Sequence, residues 1–118
     1  MIPVAQYMRM STDHQKYSIA NQTAAIAEFA DRHELRVVAT YTDVAKSGLY
    51  LKGRVGLQTF LRDVINNRVP YKAVLVYDVS RWGRFQDDDE AACYEFLCRK
   101  FGVKVIYCEE SFTNDVQK

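Results

Sequence analysis

The sequence predicts a single α/β domain: a mostly parallel sheet of about four or five strands with helices on both faces. Two observations carry this. Short strand-like runs, "PVAQYM" (3–8), "LRVVATYTD" (35–43), "KAVLVYD" (72–78) and "VKVIYC" (103–108), alternate with segments of helical spacing. And 118 residues, 48% hydrophobic and 26% charged, fit one globular unit with one core.

The elements follow in order. Pro3 leads the first strand, a position where its missing N–H is tolerated. From Ser18 to about His33, Ile19, Ile26, Ala30 and His33 recur at helical spacing, and Ala24, Ala25 and Ala27 raise the propensity. The second strand is β-branched and nearly continuous, which predicts burial on both faces. "VAKSGLYLKGR" (44–54) has two glycines and no clean period, so it reads as a loop. Leu57, Phe60, Leu61, Val64 and Ile65 then give the i, i+3, i+4 stripe of an amphipathic helix. After the third strand, Asp87 and Glu90 form a D-x-x-E capping box. The helix it opens places Ala91, Tyr94, Leu97, Cys98 and Phe101 on one face, and Gly102 is a natural stop before the fourth strand. Residues 1–118 show no internal repeat, low-complexity segment or linker.

Bulk properties exclude several classes. The apolar runs are strand-sized, so none spans a membrane. "MIPVAQYMRM" lacks the features of a signal peptide. Three cysteines (Cys93, Cys98, Cys108), with no CxxC pair, suit reduced thiols in a cytoplasmic protein. A net charge of +1 does not by itself mark a nucleic-acid binder, so local clustering must carry that argument.

Ligands of open parallel sheets bind beyond the carboxyl ends of the strands. Three segments leave those ends: "RMSTDHQ" (9–15), "DVAKSGLYLKGR" (43–54) and "DVSRWGRF" (78–85). Among their residues are the serines Ser11 and Ser47 and four arginines, Arg9, Arg54, Arg81 and Arg84. Guanidinium forks suit phosphate oxygens, and several around one hydroxyl describe phosphoryl transfer by a serine nucleophile. Solvated loops have a similar composition, and spacing alone leaves both readings open.

Other chemistries fit less well. No G-x-G-x-x-G or P-loop signature is present. Cys93 and Arg99 match C-x5-R, but in a helix that has no glycine-rich anion cradle. His14 and His33 lack metal-ligand spacing to the cysteines, and His14 reads as a solvated loop residue rather than a general base. "QDDDE" (86–90) suits a helix start better than a metal. A phosphorelay receiver could use Asp78, but Arg9 and Ser11 stand where its acidic pair for Mg²⁺ is needed.

"YMRMSTDHQ" (7–15) resembles the Y-x-R-x-S-[ST]-x-x-Q signature of the serine recombinases, the resolvases, invertases and large serine integrases. The likeness continues through "SIANQ" (18–22), "YTDVAKSGLYLKGRVGLQTFL" (41–61) and "VSRWGRF" (79–85), in order and approximate spacing. The S-G and R-x-G-L of the third fragment are closest in style to the large serine recombinases. The resemblance implies a resolvase-like catalytic domain for site-specific DNA recombination. Ser11 matches the nucleophile that forms a 5′-phosphoserine link, and Arg9, Arg81 and Arg84 match arginines on the scissile phosphate. Tyr7, Gln22, Asp43, Ser47 and Arg54 match other phosphate-binding or supporting positions.

It implies no cofactor and no metal, DNA as partner, and self-association of the full-length protein as a dimer and as a tetramer on DNA. Two departures stand out. Ser80 occupies the place of a usual aspartate, with Asp78 two residues earlier as a possible substitute. The chain also stops at "SFTNDVQK" (111–118), where the family continues into a long helix and DNA-binding domains. The expected reading is therefore a catalytic domain of a larger protein that binds DNA weakly and salt-sensitively on its own. The alternative is a catalytically impaired or regulatory binding domain on the same fold.

Overall fold

β1 (Ile2–Met10) runs through the centre of the sheet, because apolar side chains alternate to both of its faces. Val4 and Met8 point into one core and Ala5 and Tyr7 into the other. The computed structural model describes residues 1–10, 18–44, 54–66, 68–82 and 88–109. Around β1 lie α1 (Ile19–Arg32), β2 (Leu35–Val44), α2 (Val55–Asn66), β3 (Ala73–Val76), α3 (Val79–Trp82), α4 (Asp88–Lys100) and β4 (Lys104–Tyr107). The four strands form one parallel sheet in the order β2-β1-β3-β4. α1 covers one face through Ile26 and Ala30, and α2 and α4 cover the other through Leu57, Phe60, Val64 and Cys98.

Local signals set the helix ends. The Ser18 side chain accepts from the Asn21 N–H at 3.0 Å, capping α1 where a free N–H would otherwise remain. α4 ends at Gly102 (φ 85°), with the Gly102 N–H bonded to Arg99 C=O and the Val103 N–H to Cys98 C=O. That pair is a Schellman stop, so Gly102 acts as the sequence predicts. The D-x-x-E box begins outside the described residues, as do the loop 45–53 and His14.

Two expectations need correction. β2 was expected to be buried on both faces, but it lies at a sheet edge and its residues alternate between exposed and half-buried as far as Asp43, which is buried. Its β-branched run reflects strand propensity rather than two-sided burial. Phe101, expected on the buried face of α4, is 43% exposed. It lies just past the last helical turn, where the helical period no longer dictates direction.

β2 also carries a bulge. Val4 pairs with Val37 and Ala5 with Ala39, leaving Val38 without a partner on β1. Before it, Leu35 and Val37 pack in the α1 core; after it, Ala39 and Tyr41 pack in the α2 core. Asp43 follows on the α2 side, where it meets the first turn of that helix.

Candidate active site

Three strand ends meet here. Arg9 and Asp43 are register partners at the carboxyl ends of β1 and β2, and α3 follows β3 with Arg81 in its single turn. Tyr7, Arg9, Gln22, Asp43, Arg54 and Arg81 are all buried.

Asp43 is the first anchor. Its Oδ1 accepts from the Gly56 N–H at 2.7 Å, and Oδ2 accepts from the Leu57 N–H at 2.9 Å and the Tyr7 hydroxyl at 2.8 Å. Those amides are orphan donors at the start of α2, where Arg54 holds the cap position and cannot cap with its own side chain. A carboxylate on β2 therefore caps a helix that begins twelve residues further along, at Val55, and also meets the partial positive charge of that helix end. Gly56 permits the approach, because a Cβ there would stand 2.3 Å from the Thr42 carbonyl oxygen.

Tyr7 bridges two groups. Its hydroxyl donates to Asp43 and accepts from Arg54, 3.1 Å from Nη2. Burial pushes the phenol well above its ordinary range, and the Arg54 cation only partly opposes this. Tyr7 thus stays protonated at neutral pH and holds its neighbours in place.

Gln22 and Arg81 converge on the backbone of Arg9. β1 last pairs with β3 at Tyr7 and Val76. Beyond that point the Gln22 carboxamide bonds both main-chain groups of Arg9, accepting from its N–H at 3.3 Å and donating to its C=O at 2.9 Å. Arg81 Nη1 donates to the same carbonyl at 2.8 Å. The segment leading to Ser11 is thus held by a helix on one face and by the turn after β3. Three arginines (Arg9, Arg54, Arg81) and one carboxylate (Asp43) lie within this buried set. Such a charge balance suits an anionic ligand.

The family model of the resolvase N-terminal domain matches residues 4–118. The chain belongs to that family. Its fold is that of serine recombinase catalytic domains. A resolvase-family site-specific recombinase from Streptococcus pneumoniae superposes with a TM-score of 0.81 at 26% identity, over 99% of this chain and 80% of that one. The N-terminal catalytic domain of TP901-1 integrase gives 0.73 at 28%, over 97% and 84%. The C-terminal catalytic domain of ISC1926 TnpA, an IS607-like serine recombinase, gives 0.73 at 26%, over 98% and 74%. No curated protein matches the chain.

Of the expected resolvase positions, Tyr7, Arg9, Gln22, Asp43, Arg54 and Arg81 come together, while Ser11, Ser47 and Arg84 lie outside the described residues. Sequence reasoning missed Gly56 and the main-chain carbonyls of Arg81 and Trp82, which accept from Arg54 at 3.3 and 2.5 Å. The R-x-G-L spacing marked Gly56 as a motif member without showing its contact. No side-chain pattern marks a carbonyl. Among the described residues no three His, Cys, Asp or Glu side chains form a metal-binding group. None of the described helices is long and apolar enough to cross a membrane.

Proposed function

We propose that the chain is the catalytic domain of a site-specific DNA recombinase, with Ser11 as nucleophile. The carrying observation is the Arg81 guanidinium bonded to the Arg9 carbonyl, two residues before Ser11, in a chain of the resolvase family. In this reading Ser11 Oγ attacks the scissile phosphorus and loses its proton as the bond to the DNA 3′ oxygen breaks. A 5′-phosphoserine link and a free 3′-hydroxyl result. Attack by a 3′-hydroxyl on that link reverses the step, so strands rejoin without ATP.

Arg9, Arg81 and Arg84 stabilise charge on the non-bridging oxygens, and Tyr7, Gln22, Asp43 and Ser47 support them. Asp78 stands in for the aspartate that Ser80 replaces. The domain acts within a longer cytoplasmic protein that binds DNA, pairs as a dimer and closes as a tetramer on its sites.

Covalent capture tests this reading. Incubated with nicked site DNA, the full-length protein should form an adduct stable to denaturing electrophoresis, and Ser11→Ala should form none. An adduct that survives Ser11→Ala would assign the chemistry to another residue. No adduct from the unsubstituted protein would favour the regulatory binding domain.

A further inference from the structure

We propose that Arg54 is a positioning residue: its guanidinium closes the carbonyl end of α3 and fixes the direction from which Arg81 reaches the Arg9 backbone, without touching the phosphate. The proposal deepens the recombinase reading and rests on it.

Arg54 is unusual in three ways. Its φ is +43°, a conformation that side chains other than glycine, asparagine and aspartate seldom adopt. It occupies the cap position of α2, where a short polar residue is usual, and Asp43 does the capping instead. Its cationic side chain is buried. An observed backbone outlier calls for a functional account.

The hydrogen bonds supply one. α3 is a single turn and cannot satisfy its own last carbonyls. Arg54 Nη2 donates to the Trp82 carbonyl at 2.5 Å, the Arg81 carbonyl at 3.3 Å and the Tyr7 hydroxyl at 3.1 Å. Nε reaches the same hydroxyl at 3.4 Å, and the guanidinium carbon lies 5.6 Å from the centre of the Tyr7 ring. A cation also suits the partial negative charge at a helix carboxyl end. Nη2 therefore points inward at main chain, and the backbone it holds is that of Arg81. Arg81 in turn reaches the Arg9 carbonyl at 2.8 Å. The two arginines act in series. Arg54 sets the turn, and Arg81 meets the strand that leads to the nucleophile.

Trp82 offers a direct readout. It is the only tryptophan in the chain, it is fully buried, and its ring meets Tyr7, Phe60 and Tyr94 edge-on. Its emission therefore reports the end of α3. Arg54→Lys keeps the charge but replaces a planar fork with a point donor.

The expected result is a red-shifted Trp82 emission in both Arg54→Lys and Arg54→Ala, with far-UV circular dichroism unchanged. In the full-length protein, DNA cleavage should fall about 10²-fold in both variants while DNA affinity holds. Added to Arg81→Ala, Arg54→Ala should cost little further, because Arg54 acts through Arg81. Unshifted emission in Arg54→Lys, undiminished cleavage, or an undiminished further loss when Arg54→Ala is added to Arg81→Ala would each overturn the proposal. Should Arg54→Ala lose its helical signal, Arg54→Lys decides by the same readings. If the unsubstituted protein cleaves no DNA, the recombinase reading falls with the catalytic part of this one, and the emission result still decides whether Arg54 holds α3.

Discussion

The Gly56 N–H donates to Asp43 Oδ1 across 2.7 Å, and that bond joins the end of β2 to the first turn of α2. One carboxylate serves two amides and the Tyr7 hydroxyl, so removing it leaves three donors in a buried place. Asp43→Ala should cost about 3 kcal/mol, and Asp43→Asn, which retains one acceptor oxygen, about half as much. Urea unfolding at constant slope measures both. A cost for the alanine variant within about 0.5 kcal/mol, as at an ordinary surface position, would show that Asp43 carries no such load.

Gly56→Ala separates two opposite expectations. Helix propensity alone predicts a gain of about 1 kcal/mol. The contact predicts a loss of about 2 kcal/mol or more, because the new Cβ would lie 2.3 Å from the rigid Thr42 carbonyl oxygen. A fall in Tm of about 8 °C or more is expected, and a rise would refute the close approach.

Gln22→Leu keeps the volume of a fully buried side chain and removes both bonds to the Arg9 backbone. Stability should drop by about 2 kcal/mol. The Arg9 amide should exchange with solvent at least about tenfold faster, while amides in the middle of β3 lose only what global stability loses. Glu28→Leu, an exposed site on the same helix, provides the comparison. Equal effects from the two would deny Gln22 its role at the strand end.

Alkaline pH should unfold the protein through its buried and half-buried acids. Burial pushes the Cys98 and Cys108 thiols up to about 12, from the ordinary value of 9.0. The Tyr7 and Tyr41 phenols are raised as well, again chiefly by burial. Between pH 9 and 12 the unfolded chain has released these thiol protons and the folded one has not, so stability falls as pH rises. Below pH 9 the contribution is complete. Stability curves from pH 7 to 11 should be flat at first and then descend.

The same burial predicts thiol selectivity. Cys93 is exposed on α4 and Cys98 is buried. Iodoacetamide at pH 8 should label Cys93 in the native state and reach Cys98 only after denaturation. Native labelling of Cys98 at the Cys93 rate would contradict the packing of α4 on the sheet.

Features set by nearest neighbours were legible in the sequence. Ser18 caps and Gly102 stops because each acts on backbone within a few residues of itself. The strand-helix alternation was legible too, and it pointed to the strand ends where Arg9, Asp43 and Arg81 lie. Gln22 shows where a signal went unused. It sits three residues after Ile19 and four before Ile26, a polar residue on an apolar stripe, and that position is what aims it at Arg9. α3 escaped because four residues hold no period, and the work of Arg54 escaped because its acceptors are main-chain carbonyls.

Val38, the unpartnered residue of β2, gives the strand a change of parity. Odd-numbered residues serve the α1 core before it and the α2 core after it, so the count of residues from Leu35 to Asp43 is itself a structural quantity. Losing Val38 alone would restore plain alternation, with Val4 still opposite Val37 and Ala5 still opposite Ala39. Asp43 would keep the side on which it caps α2. Gaining a residue offers no such remedy and would turn Asp43 away from its helix, so this segment should accept the loss of one residue and not the gain of one.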